Sequence, residues 1–84
     1  IKTQKNIEMT EDEKDMIYNM VSNLNERIEN EGGTFEEWFK LIRSYLVLGE
    51  NELALERFTE AKDIFQNSAN LIVRLENLVK SFIN

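Results

Sequence analysis

The amino-acid sequence predicts an all-α protein, built as one antiparallel array of about four helices. Its 84 residues include no proline and only three glycines, a composition that favours long helices. Apolar residues recur at intervals of three and four along most of the chain, which is the period of amphipathic helices. Two Thr-x-x-Glu pairs, Thr10 with Glu13 and Thr34 with Glu37, have the spacing of the capping boxes that begin helices.

The chain divides into a short leader and one helical domain. Residues 1–9 are polar and are predicted to be a flexible leader, and residues 10–84 form the domain. The first helix is predicted over residues 11–31, because Thr10 caps its start and the pair Gly32-Gly33 follows its end. Its apolar residues lie on one face. They are Met16, Ile17, Met20, Val21, Leu24 and Ile28.

Three further helices are predicted over residues 35–48, 52–66 and 69–83. Thr34 begins the second helix, and Gly49 ends it in the left-handed conformation that glycine adopts readily. Asn51 is expected to cap the third helix with its side chain. Asn67 or Ser68 is expected to cap the last one in the same way.

Composition excludes several classes of function. The chain has no cysteine and no histidine, so disulfides, thiolate metal sites and the usual general base are absent. The net charge of −6 disfavours nucleic acid and anionic membranes as partners. Its longest uninterrupted apolar run, residues 45–48, is too short to span a bilayer. With no initiator methionine and no signal peptide in the sequence, we interpret the chain as a piece of a longer protein.

Two acidic sets were considered as catalytic or cation-binding groups. The first opens the first helix, where acidic residues are favoured by the helix dipole. The second lies on the third helix and lacks the pattern of a calcium loop. Solvated helix faces are therefore expected, and the sequence predicts no enzyme, no metal site and no cofactor. The two sets are Glu11, Asp12, Glu13 and Asp15, and Glu52, Glu56, Glu60 and Asp63.

The stretch from residue 34 to residue 65 resembles one tetratricopeptide (TPR) repeat. The repeat's template is W-x2-L-G-x2-Y followed by A-x3-F and a terminal proline. Ile42 replaces the template glycine, and Gln66 replaces the proline. With the flanking helices, the resemblance implies a half repeat, a full repeat and a half repeat. The matching core positions are Trp38, Leu41, Tyr45, Gly49, Ala54, Phe58 and Ala61.

In TPR proteins the first helices of the repeats line a groove that receives a peptide or helix. By this resemblance the groove residues here are Glu36, Phe39, Lys40, Arg43, Leu46 and Val47. Phe39 either packs on a flanking helix or anchors a partner. Arg43 could pair with Glu36, with Glu50 or with a ligand carboxylate. Because Phe39 replaces a polar residue of the groove, an apolar or amphipathic helix suits it better than a terminal carboxylate.

A longer segment resembles a more specific family, the cytochrome c-type biogenesis proteins of the CcmI/CycH type. A helix with M-V-x2-L-x2-R precedes one with W-x2-L-x-R-x-Y-x-x-L-G. The resemblance implies a periplasmic TPR region of a bacterial inner-membrane protein, which binds the C-terminal helix of apocytochrome c without itself contacting the membrane. The matching residues are Met20, Val21, Leu24, Arg27, Trp38, Leu41, Arg43, Tyr45, Leu48 and Gly49.

The alternative to a cytochrome chaperone is a generic TPR scaffold or a self-assembly module. The last helix carries apolar residues at Ile72, Leu75, Val79 and Phe82. No further helix is predicted to cover the side of the last helix that points away from the other three. This side could therefore join other repeats or a second copy. A hydrolase is a distant third, because it would need a carboxylate with a raised pKa in a pocket.

Overall fold

A computed structural model describes residues 9–83 as four α-helices. They are α1 (Glu11–Glu31), α2 (Phe35–Leu48), α3 (Asn51–Ile64) and α4 (Ala69–Phe82). The all-α class is thus confirmed. Nearly all of the predicted leader, residues 1–8, lies outside the described residues. Among residues 9–83, no helix combines the length and the apolar character that crossing a membrane requires.

Both predicted capping boxes are present. The Thr10 side chain accepts the Glu13 backbone N–H at 3.1 Å, and the Glu13 carboxylate accepts the Thr10 N–H at 2.9 Å. The Thr34 and Glu37 pair makes the same two bonds at 3.2 and 2.9 Å. Each box satisfies helix-start N–H groups that have no partner within the helix. These local bonds explain why α1 and α2 begin where the sequence predicts.

Glycines in the left-handed region end α1 and α2. Gly32 has a φ of 87° and Gly49 a φ of 80°. Beyond Gly49, the Glu50 N–H donates to the Tyr45 carbonyl at 2.8 Å, as in a Schellman motif. The chain therefore reverses direction in a few residues at each glycine turn.

The predicted side-chain caps of α3 and α4 are wrong. Glu50 precedes α3 without a side-chain bond, and Asn51 is already within the helix. The backbone N–H of Ala54 donates to the Glu50 carbonyl at 3.0 Å, which lets the helix begin one residue earlier than predicted. Ser68 precedes α4 as predicted, but its side chain makes no capping bond.

The end of α3 also differs from its predicted position at residue 66. The helix ends at Ile64, and residues 65–67 form a turn. The Gln66 side chain donates to the Asp63 carbonyl at 2.9 Å, and the Ser68 N–H donates to the Phe65 carbonyl at 2.9 Å. These two bonds satisfy carbonyls that a longer helix would have used.

The second helix, α2, is the centre of the fold. It packs against α1, α3 and α4, and α3 also packs against α4. Leu41 and Ile42 of α2 are completely buried, as are Ala54 and Ala61 of α3. Alanine at both α3 positions lets the helix axes approach closely. The core thus forms along α2, with alanines where the next helix meets it.

One arginine of α3 connects this helix to α1. The Arg57 guanidinium donates to Asn25 Oδ1 at 2.6 Å and lies 5.9 Å from the centre of the Trp38 ring. Asn25 in turn donates to the Tyr45 hydroxyl at 2.9 Å. This polar chain joins three helices at the border of the core, where each donor has an acceptor.

The Glu37 carboxylate accepts two hydrogen bonds at the corner between α1 and α2. The Thr34 backbone N–H and the Arg27 guanidinium both donate to the Glu37 carboxylate, and they hold its pKa below the ordinary value of 4.5. Because the folded pKa is depressed, the stabilisation is present above about pH 4.5 and is lost as the pH falls through the folded pKa.

We therefore expect the urea midpoint of the wild type to fall on acidification from neutral pH to about pH 3, and to fall less in Glu37→Gln. Glutamine keeps an acceptor oxygen for the capping box but carries no charge. Glu56→Gln, on the exposed outer side of α3, is the matched control, and its urea midpoint should fall as far as that of the wild type. An equal fall in Glu37→Gln would contradict this explanation.

Candidate functional site

The predicted groove residues lie on α2, and the structure divides them by exposure. Lys40 and Arg43 are exposed, whereas Phe39 and Val47 are half-buried. Glu36 is exposed at the start of the same face. Leu46 is buried in the core, so it offers no contact surface to a ligand. The accessible part of this face is therefore a strip of three charged and two apolar side chains.

Phe39 packs within the protein and also keeps part of its ring accessible. Its ring lies 5.9 Å from the ring of Phe35, and the two planes are tilted by 46°. Phe35 makes an edge-to-face contact with Phe65 at 5.4 Å, a geometry that aromatic pairs prefer. Phe39 therefore packs on the Phe35 ring while part of it stays accessible.

Arg74 of α4 covers one side of this aromatic pair. Its guanidinium lies 4.9 Å from the centre of the Phe35 ring and 5.2 Å from that of Phe39. It also forms an ion pair with Glu36 at 3.3 Å. Stacking on two rings and pairing with a carboxylate hold α4 beside the start of α2. We call the surface formed by Glu36, Phe39, Lys40, Arg43, Val47 and Arg74 the α2–α4 face.

Arg43 makes neither of the two intramolecular pairs considered from the sequence. Glu36 pairs with Arg74 instead, and Glu50 accepts the Tyr18 hydroxyl at 3.1 Å. None of the ion pairs within residues 9–83 includes Arg43 or Lys40. Two cationic side chains on one exposed strip can therefore meet the carboxylates of a ligand.

Sequence reasoning missed Phe35, Phe65 and Arg74 as parts of this site. Phe35 is the first residue of α2, and Phe65 directly follows α3. Both continue an apolar spacing, Phe35 with Phe39 and Ile42, and Phe65 with Phe58 and Ala61. The spacing of Phe35 and Phe39, one helical turn apart, was an available signal for an aromatic pair. The position of Arg74 depends on how α4 packs, and no local pattern encodes that.

Most of the predicted core residues of the repeat are buried. Trp38, Leu41, Tyr45, Ala54 and Ala61 are buried. Phe58 is half-buried, with the Lys62 ammonium 4.6 Å from its ring centre. The Trp38 indole N–H donates to the Gly32 carbonyl at 3.1 Å, which fixes the ring against the turn before α2. These residues supply packing, and none of them faces the accessible strip.

The two acidic sets are exposed on helix surfaces. Within residues 9–83, no cluster of three or more carboxylates has the arrangement of a metal site. A hollow of about 370 Å³ on the outer side of α3 is lined by Glu52, Leu55, Glu56 and Thr59. A second hollow, of about 320 Å³, lies at the start of α1.

The comparisons with known proteins do not identify a family for this chain. The chain was compared with protein-family models, with curated proteins and with solved structures, and none of the three comparisons finds a match. The resemblances to TPR repeats and to cytochrome c-type biogenesis proteins therefore stay predictions, carried by the residues quoted for them.

Proposed function

We propose that this chain is a non-enzymatic protein-interaction module that holds a helical peptide on the α2–α4 face. The observation that carries the proposal is the pair of exposed cations, Lys40 and Arg43, beside the half-buried Phe39. Interfaces are commonly anchored by an aromatic or arginine side chain within a polar rim. The three residues provide both features on one helix.

The helix order supports a TPR-like module. In such a repeat the two helices form an antiparallel pair, and the first helix of the next repeat packs against that pair. Here α2 and α3 correspond to the pair, and α4 packs against both of them. The alanines at residues 54 and 61 allow the close approach that the repeat needs.

The chemistry of the face suggests the character of the ligand. An amphipathic helix could place apolar side chains on Phe39 and Val47 and carboxylates on Lys40 and Arg43. A short helix on a single repeat buries little area, so the affinity should be modest. Glu36 and Arg74 already pair with each other on this face, so Lys40 and Arg43 are the cations left for ligand carboxylates.

The specific ligand that we propose is the C-terminal helix of an apocytochrome c, bound in a bacterial periplasm. This identification rests on the sequence resemblance. Five of the ten resembling residues, among them Val21, Leu24 and Leu41, are buried and so carry the fold. Arg43 belongs to the resembling residues and lies on the accessible strip. It is therefore the resembling residue that is placed to contact the ligand.

Calorimetric titration of an apocytochrome c C-terminal peptide tests the proposal. We expect Phe39→Ala to weaken binding about tenfold, because removing a partly buried aromatic anchor typically costs 1–2 kcal/mol or more. The charge reversal Arg43→Glu alters an exposed residue and should weaken binding without loss of stability. Leu55→Ala, on the exposed side of α3, is the matched control and should bind like the wild type.

Two outcomes would oppose the proposal. If the peptide fails to bind any variant, the cytochrome ligand is excluded, and a library of amphipathic helical peptides then tests the broader interaction role. If Phe39→Ala and Arg43→Glu bind as tightly as the wild type, the α2–α4 face is not the site. Circular dichroism of each variant separates lost binding from lost folding.

Self-assembly is the second candidate, favoured by apolar side chains that stay exposed near the end of the chain. Ile64, Val73 and Phe82 are all more than two-fifths exposed. Burying such residues against a second copy or another repeat would be favourable. A single monomeric species in sedimentation at high concentration would exclude self-association.

A further inference from the structure

The start of α1 projects beyond the rest of the helical array. The helix has 21 residues against 14 in α2, and the two run antiparallel. The Tyr18 hydroxyl donates to Glu50, just after the end of α2. Residues 11–17 therefore extend about 10 Å past α2, at 1.5 Å per residue. Only the later turns of α1 have a helix beside them.

A methionine-lined groove lies on this projecting segment. The hollow of about 320 Å³ is lined by Met9, Glu13, Met16, Ile17 and Met20. Met16 is 69% exposed and Met20 is 38% exposed, although both lie near the apolar side of an amphipathic helix. Methionine side chains are flexible and polarisable, so they adapt to the shapes of different apolar partners.

Two carboxylates lie at the groove. Glu13 lines it, and Asp12 lies one helical turn before Met16 on the same side. Glu11 and Asp15 are also exposed on this segment, where Lys14 is the basic residue. The ion pairs found within residues 9–83 include none of these carboxylates. The helix dipole accounts for acidic residues in the first turn, but it does not account for the exposed methionines.

We propose that this methionine groove is a docking site for a basic amphipathic helix of a partner protein. Leucine-like side chains on one side of that helix would fill the space over Met16 and Met20, and its lysines would face Asp12 and Glu13. The groove is separate from the α2–α4 face, so this proposal stands independently of the peptide site described above.

Charge distinguishes this occupant from the others that an apolar groove could take. A second copy would bring a chain of net charge −6 and an identical acidic rim against the groove, and like charges disfavour that contact. Nucleic acid and anionic lipid carry the same sign of charge and are disfavoured for the same reason. A basic helix is the occupant whose apolar and charged sides both match.

Fluorescence anisotropy with two labelled synthetic peptides tests the proposal. The first peptide contains leucine and lysine in an amphipathic helical pattern of about 14 residues, and the second replaces every lysine with glutamate. We expect the lysine peptide to bind the wild type and the glutamate peptide to bind at least about tenfold more weakly. Affinity for the lysine peptide should fall as salt is added, since salt screens exposed charges.

Paired variants locate the site. The double substitution Met16→Gln and Met20→Gln should weaken binding of the lysine peptide about tenfold, because it removes the apolar lining. The control is Leu53→Gln with Leu55→Gln, which alters two residues of comparable exposure on α3 and should leave binding unchanged. Both pairs replace exposed side chains, and thermal melts verify that each variant folds.

A second pair tests the charged rim. Asp12→Asn with Glu13→Gln should weaken the lysine peptide about threefold and flatten the salt dependence. Glutamine still completes the capping box, so α1 keeps its start. Phe39→Ala should leave this binding unchanged, which separates the result from the function of the α2–α4 face.

Three results would overturn the proposal. The first is equal binding of the lysine and glutamate peptides, which would show that charge does not select the occupant. The second is unchanged binding after the methionine substitutions. The third is a wild-type dimer in sedimentation that the methionine substitutions dissociate, because the occupant of the groove would then be a second copy.

Discussion

Replacing Leu41 by alanine is expected to destabilise the protein by about 3 kcal/mol, within the range of 2–5 kcal/mol typical of buried leucines. Leu41 has no exposed surface and lies on α2, the helix that contacts each of the other three. A cavity there removes contacts that hold the whole array together. The free energy of unfolding of a small domain is only about 5–15 kcal/mol in total, so a large part of its stability would be lost.

Urea denaturation followed by the fluorescence of Trp38 measures this effect, because Trp38 is buried beside the turn before α2. The matched control is Leu53→Ala on α3, where the leucine is 41% exposed. Its expected cost is below about 1 kcal/mol. Equal losses in the two variants would show that α2 is not the centre of the core.

Replacing Gly33 by alanine is expected to cost about 2–3 kcal/mol, from backbone strain and steric overlap together. Gly33 has a φ of 68°, in the left-handed region. A Cβ at this position would lie 2.6 Å from Ile28 Cγ1 and 3.4 Å from Trp38 Nε1. The turn would have to shift away from two core side chains, one of which is held by its bond to Gly32.

Substitution of the neighbouring Gly32 separates the cost of backbone strain from the cost of steric overlap. Gly32 has a φ of 87°, but a Cβ there would meet nothing within 4 Å. Gly32→Ala should therefore cost only the strain, about 1–2 kcal/mol. Thermal or urea unfolding of both variants gives the difference. If Gly32→Ala destabilises the protein as much as Gly33→Ala, the close packing of Ile28 and Trp38 around the turn does not contribute to the cost of the Gly33 substitution.

The helical class could be predicted from the sequence because its determinants are local. Thr10 and Thr34 each form a capping box with a glutamate three residues later, and Gly32 and Gly49 end helices through their own backbone freedom. The end of α3, which was predicted too late, also involves a longer-range contact. The last predicted turn of α3 gives way to a turn in which Phe65 packs on Phe35.

The composition of the candidate site was harder to predict. The TPR resemblance assigned Leu46 to the groove, yet this residue is buried in the core. Phe39 and Glu36 were identified from α2 alone, whereas their partner Arg74 comes from α4, 38 residues away from Glu36 in the chain. Such contacts depend on the packing of two helices, which a one-dimensional period does not specify.

The ligand was the least predictable feature. Repeat spacing constrains buried residues such as Trp38 and Tyr45, because these determine whether the helices pack. The ligand contacts that we propose use exposed residues such as Lys40 and Arg43, which many sequences with the same core could vary freely. The predicted bounds already made α1 longer than α2, but which turns of α1 stay uncovered depends on how the helices pack.

Mapping amide chemical shifts by NMR during titration with an amphipathic helical peptide is the most direct test of the central claim, that the α2–α4 face binds a helix. The apocytochrome c C-terminal peptide is the first ligand to use. We predict shifts concentrated at residues 36–47 and around Arg74, with α3's exposed side near Leu55 unaffected. Shifts confined to other surfaces, or none at concentrations where the peptide binds, would contradict the claim.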